Sequence, residues 1–157
     1  MASPTLDSRD RALDLAFRYL GPRDRTVAET RRYLEGKRVD PAAITAAVAE
    51  LAEQGYLDDA RYAQRFAEDR RRLDAWGAER IERRLVALGV PPEHVASAVG
   101  AGDDHDELSA AVELLRRRIG RPPETDRDRE RALGLLARRG YELELAYDAV
   151  RAFEHGT

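Results

Sequence analysis

Apolar residues recur along this chain at intervals of three and four, the spacing of one helix face, and nowhere alternate as a half-buried strand would. Ala12, Leu13, Ala16, Phe17 and Leu20 form the first such stripe and predict a helix over residues 8–20, stopped by Gly21-Pro22. Residues 1–7 ahead of it are polar and charged and read as a tail. Thr26 can cap a second helix, with Glu29 three residues on completing a capping box and Gly36 near its end. Asp40-Pro41 opens a third: Asp as N-cap, Pro at the first helical position. Ile44, Val48 and Leu51 form its stripe, and Gly55 closes it.

The same grammar returns twice. Asp58 caps a helix expected to reach Leu73, with Tyr62, Ala63, Phe66, Ala67 and Leu73 on one face. After Trp76-Gly77 comes a helix with Ile81, Leu85 and Leu88, ended by Gly89, and Pro91-Pro92 opens one with Val95 and Val99. Leu108, Val112, Leu115 and Ile119 mark the next. Gly120 and Pro122-Pro123 break it, a helix with Ala132, Leu135 and Leu136 ends at Gly140, and the last carries Leu143, Ala146, Val150 and Phe153. Shifting the sequence by 51 residues superimposes Leu34, Leu85 and Leu136, then Ala47, Ala98 and Ala149, then Val48, Val99 and Val150. The expected architecture is therefore all-α: three tandem three-helix repeats over residues 8–55, 56–102 and 103–155. One such unit buries too little apolar surface to stand alone, but stacked units share a core, so an elongated, curved array is expected.

Two charged residues break the apolar face of the helix after Asp58. Asp59 and Arg70 lie eleven residues apart, one near each end. A charge on an apolar face is costly unless it is paired or hydrogen-bonded. Either each satisfies a helix end in a neighbouring repeat, the reading we favour, or each recognises a partner.

The residues around them form a pattern. Gly55, Tyr56, Leu57, Asp58, Asp59, Tyr62, Ala63, Phe66 and Arg70 run as Gly, an apolar pair, two acids, then aromatic-Ala-x-x-aromatic and a closing Arg. Gly77, Ile81, Leu85 and Gly89-Val90 follow, and residues 136–141 read Leu-x-Arg-Arg-Gly-aromatic. This pattern resembles the RecX family, bacterial regulators of the RecA recombinase, over about residues 10–153. The resemblance implies a cytosolic, non-enzymatic protein that binds the RecA filament and restrains its ATPase and strand exchange. It makes Asp58, Asp59, Tyr62, Phe66 and Gly77 mainly structural members of the motif.

Charge then narrows where a partner could sit. The chain has a net charge of −3, whereas a dedicated DNA-coating protein is usually basic. Contact with nucleic acid must come from a local patch or from a partner that carries the nucleic acid. The densest positive cluster is Arg70, Arg71, Arg72, Arg80, Arg83 and Arg84, with the lone tryptophan, Trp76, between its halves. On charge alone this is a solvated face. With the resemblance it becomes the expected partner surface, meeting carboxylates on RecA or phosphates of single-stranded DNA within the filament. Asp58 to Arg84 also holds seven acidic residues, so a mixed, mainly protein-facing surface is expected. Trp76, in the loop before Gly77, either packs between repeats or is an exposed interface anchor.

Other chemistry is not written in the sequence. There is no cysteine, no phosphate-binding glycine loop and no nucleophile motif. Asp103, Asp104, His105, Asp106 and Glu107 read as a helix N-terminus, not a metal cluster, since consecutive side chains diverge. No cofactor or metal is expected, nor a membrane segment, and the chain reads as a monomer. A helix-turn-helix DNA-binding regulator is the alternative, because triplets of short helices such as residues 26–51 can imitate that motif.

Overall fold

The computed structural model describes residues 4–156. Among them are nine helices and no strand: α1 (Pro4–Leu20), α2 (Val27–Gly36), α3 (Pro41–Glu53), α4 (Asp59–Asp74), α5 (Ala78–Ala87), α6 (Pro92–Gly100), α7 (Asp104–Arg118), α8 (Asp126–Arg138) and α9 (Leu143–Glu154). Helix α1 begins four residues before the expected Ser8, and residues 1–3 of the expected tail lie outside the described residues. Thr26 caps α2 with the full capping box, its side chain accepting from the Glu29 N–H and the Glu29 carboxylate accepting from the Thr26 N–H. A second capping box, Thr125 with Asp128, opens α8. Asp40 departs from expectation: Pro41 starts α3 as predicted, but the Asp40 side chain makes no cap bond.

The 51-residue period is a physical repeat. Helices α3, α6 and α9 begin at 41, 92 and 143, and α2 and α5 at 27 and 78. Leu34, Leu85 and Leu136 are fully buried, as are Ala47, Ala98 and Ala149. The carbonyl of each of those leucines accepts the N–H five residues on, from Val39 (3.2 Å), Val90 (3.1 Å) and Tyr141 (3.1 Å). This closing bond needs a left-handed residue between its ends. That residue is Arg38 (φ 59°), Gly89 (φ 82°) and Gly140 (φ 92°) in turn. A side chain there costs about 1–2 kcal/mol, partly offset by the chain entropy glycine loses on folding. Arg38→Gly should therefore stabilise the protein by about 0.5–1 kcal/mol. Urea unfolding checks this; a midpoint below the parent's would contradict it.

Packing gathers the helices into two compact units, Met1–Ala63 with Leu85–His94, and Gln64–Arg84 with Val95–Thr157. The core of the first holds Ala12, Ala16, Leu34, Val39, Ile44, Ala47, Val48, Leu51 and Leu57. That of the second holds Ala111, Val112, Leu114, Leu115, Leu136, Tyr141, Ala149, Val150 and Phe153. Small residues line both because short helices must approach closely to bury anything.

Three residues expected on apolar faces are exposed. Leu73 is 59% exposed and Leu143 63% exposed. At 3.6 residues per turn Leu73 falls about 80° round the helix from the buried Ala63. Phe17 is 41% exposed and rests edge-on against the more exposed Tyr56, ring centroids 5.1 Å apart.

Candidate functional site

The charged residue that broke the apolar face at Asp59 is explained by a helix end. An α-helix leaves its first N–H groups without intrahelical partners. In the first unit, Asp59 at the start of α4 accepts the Val27 N–H of α2 at 3.0 Å. In the second unit, Glu107 at the start of α7 accepts the Ala78 N–H of α5 at 2.9 Å. Val27 and Ala78 are 51 residues apart, so one device serves both. It is joined by a second: the Thr26 hydroxyl donates to the Leu88 carbonyl (2.8 Å), and the Gly77 N–H, in the matching place, donates to the Arg139 carbonyl (2.7 Å). Asp58 stays at the surface and caps its own helix, accepting the Arg61 N–H at 3.0 Å.

Burial pushes the Asp59 carboxyl above its ordinary 3.8, against the lowering effect of the Val27 N–H. A group titrating higher in the fold than in the unfolded chain stabilises fully below the unfolded value. That contribution is lost as pH rises through the folded one. Asp59→Asn keeps an acceptor for Val27 and carries no charge. It should therefore gain on the parent as pH rises from about 4 to 7. Asp59→Ala removes the cap as well as the charge, so it should cost about 1 kcal/mol near pH 4 and less as pH rises. Urea midpoints across that range decide it; an Asn variant that loses ground with rising pH would be the contrary result.

The six arginines of the cluster do not form one surface. Arg70 pairs with Asp74 on its own helix and lies over the rings of Phe66 and Trp76, 5.8 Å from each centroid. Arg80 stacks on Trp76 at 4.1 Å and donates to the Arg138 carbonyl at 3.2 Å. Trp76, half-buried, meets Phe66 edge-on at 6.0 Å. Arg70, Trp76 and Arg80 are thus one guanidinium–indole–guanidinium group with Phe66 at its edge, held by cation–π attraction. Tyr62 is half-buried on the same helix.

Arg71 faces elsewhere. Its guanidinium donates to the carbonyls of Ala98 (2.8 Å) and Val99 (3.2 Å), closing the C-terminal end of α6. The helix-end role expected of Arg70 therefore belongs to Arg71. Arg72 is exposed and pairs with Asp69 at 3.4 Å. Arg83 and Arg84 are exposed on α5 and make no hydrogen bond or ion pair among the described residues.

Below Trp76 is a hollow of about 270 Å³, walled also by Arg71, Asp103, Asp106, Glu107 and Tyr141. Asp103 caps α7, accepting the His105 N–H at 3.0 Å, as the acidic run led us to expect. Tyr141 is buried, and its hydroxyl donates to the Ala75 carbonyl at 2.8 Å. Burial, and then the charge of Glu107, push its phenol up to about 12. This clasp holds Ala75 at φ 53° in the turn that presents Trp76. Sequence reasoning missed it, although the tyrosine stands in the family pattern at residue 141.

Among the described residues no helix is long and apolar enough to cross a membrane. Residues 12–51 match the description "RecX, first three-helix domain" and residues 58–99 "RecX, second three-helix domain". A protein of Leptothrix cholodnii named Regulatory protein RecX is 34% identical over 97% of this chain and 92% of its own length. Another of that name, from Trichlorobacter lovleyi, is 37% identical over 83% and 87%. The crystal structure of RecX from Lactobacillus salivarius shares the fold, with a TM-score of 0.85 over 96% of this chain and 99% of that one at 16% identity. A second RecX crystal structure gives 0.77 over 94% and 73% at 19% identity.

Proposed function

This chain belongs to the RecX family, and on that premise we propose that it binds the RecA nucleoprotein filament and restrains RecA ATPase and strand exchange. The observation that carries this reading is the match of both three-helix domains, backed by relatives named as regulatory proteins. We read the chain as repeats 8–55, 56–102 and 103–155, acting in the cytoplasm as a monomer without a cofactor and without catalysis of its own.

In this reading the exposed Arg72, Arg83 and Arg84 make the direct contacts. Arg70, Trp76 and Arg80 supply a rigid aromatic anchor beside them. Guanidinium forks suit both carboxylates of RecA and phosphates of the single strand it holds. An anchor stacked in advance loses little side-chain entropy on docking. Restraint follows if the chain binds one filament state more tightly than the state that turns over, since a ligand shifts an equilibrium only by its differential affinity.

The helix-turn-helix alternative finds no support in the third helices of the repeats, where a DNA reader would carry its recognition residues. Helix α3 has no basic residue, α6 only His94, and the single arginine of α9, Arg151, pairs with Asp148. Co-sedimentation tests the proposal. The chain should pellet with RecA filaments on single-stranded DNA at concentrations where it leaves the bare strand in the supernatant. Equal recovery with and without RecA would refute it.

A further inference from the structure

We propose that α7 and α8 carry a separate, sequence-independent seat for a nucleic-acid phosphodiester backbone, built by Arg117, Arg118, Arg121, Arg131, Arg138 and Arg139. Three surface hollows of the second unit adjoin one another through Arg118. One adds Arg121 and Arg131, one Arg117 and Arg139, and one Arg131 and Arg138. Arginines in the last turn of α7 would ordinarily be explained as complementing the negative end of that helix. This accounts for Arg117 and Arg118. It does not account for Arg121 in the following loop, nor for Arg131 and Arg138 on α8.

The chain as a whole is acidic, yet most of this group lacks an ion pair among the described residues, and Arg139 donates to the Asp74 carbonyl. Arg118, Arg131 and Arg138 make no ion pair among the described residues, and Arg117 reaches Glu113 only at 3.9 Å. Two carboxylates adjoin the hollows. Asp128 accepts the N–H groups of Glu124 (3.1 Å) and Thr125 (3.3 Å) and offsets part of the charge of Arg121, while Asp74 pairs with Arg70.

Gly134 lies beside Arg138. It stands inside α8, where glycine costs about 1 kcal/mol relative to alanine. A Cβ at that position would lie 3.2 Å from Nη1 of Arg138. The missing side chain leaves the guanidinium room against the helix.

The chemistry selects the ligand class. No aromatic residue lines the three hollows, so there is neither an anchor pocket for a protein partner nor a stacking platform for bases. Guanidinium forks without base readout fit phosphate oxygens, the contact that positions a nucleic acid without reading its sequence. These arginines belong to α7, α8 and the residues just after each, not to the helices of the filament-facing group, so the inference goes beyond the proposed RecA binding.

The test uses the full chain, without RecA, and labelled single-stranded and duplex oligonucleotides of two unrelated sequences, followed by anisotropy across a salt series. The parent should bind both sequences alike, with log K falling linearly with log salt. The variant Arg118→Gln/Arg121→Gln/Arg131→Gln should lose about tenfold or more at low salt, and its salt slope should be shallower by about 2–3. If its helical circular dichroism changes, Arg121→Gln alone, in the loop, should make the slope shallower by about 1. The proposal is overturned by a parent that does not bind or by variants with unchanged affinity and slope. A marked sequence preference, or polyglutamate competing better than the oligonucleotides, would overturn it too. Because RecA is absent, none of these outcomes depends on the filament reading.

Discussion

Gly140→Ala is expected to destabilise the protein by about 3–5 kcal/mol, a large part of the total stability of a small fold. Two costs add. Gly140 sits at φ 92°, where an alanine pays for its Cβ. That Cβ would also overlap the Cβ of Arg80 and come within 2.5 Å of the Arg80 nitrogen and 2.8 Å of its Cα. Two of those three atoms are main chain of helix α5, which cannot step aside as a flexible side chain could. The Gly140 carbonyl also accepts the Glu79 N–H at 3.0 Å, and a Cβ on Gly77 would sit 2.5 Å from the same carbonyl oxygen. Two glycines thus let α5 start directly against the end of α8. Gly36→Ala is the control: nothing lies within 4 Å of its added Cβ and the residue is helical, so its effect should stay within about 1 kcal/mol. Urea unfolding measures both, and a Gly140→Ala midpoint equal to the parent's would contradict the close packing described.

The second large effect is on partner binding. Arg72→Ala/Arg83→Ala/Arg84→Ala should raise the concentration needed for half-inhibition of RecA by on the order of 100-fold or more, since three interface arginines at about 1 kcal/mol each already amount to that. Helical content and unfolding midpoint should barely change, because these side chains are exposed and close no helix end. Arg71→Ala should behave in the opposite way. It leaves the Ala98 carbonyl without the Arg71 donor and the Val99 carbonyl with the Gly102 N–H alone, so the midpoint falls. Unchanged inhibition by the triple variant, measured in the same titration, would move the interface elsewhere on the molecule.

The helices were legible in the sequence because their punctuation is chemical. Thr26 with Glu29, Pro41, and glycines at 55, 89, 120 and 140 each mark a helix boundary the structure contains. The 51-residue period was legible because the buried leucine and alanine positions tolerate little else. What could not be read is where a side chain is taken up by a tertiary bond. Periodicity placed Arg70 and Asp59 on an apolar face, but only the fold shows that Asp59 and Arg71 close helix ends while Arg70 stacks on Trp76. Arg38 hid in plain view: it occupies the left-handed position that glycine fills at 89 and 140, so a search for glycine passed over it. The arginines of α7 and α8 were likewise scattered through the sequence and meet only in the folded unit.

The filament reading meets its most direct test in the DNA-dependent ATPase of the cognate RecA, titrated with the parent chain on preformed filaments. The account predicts that turnover falls at substoichiometric amounts of the chain. A rate that stays constant at every ratio, with the chain folded and the filaments intact, would contradict it.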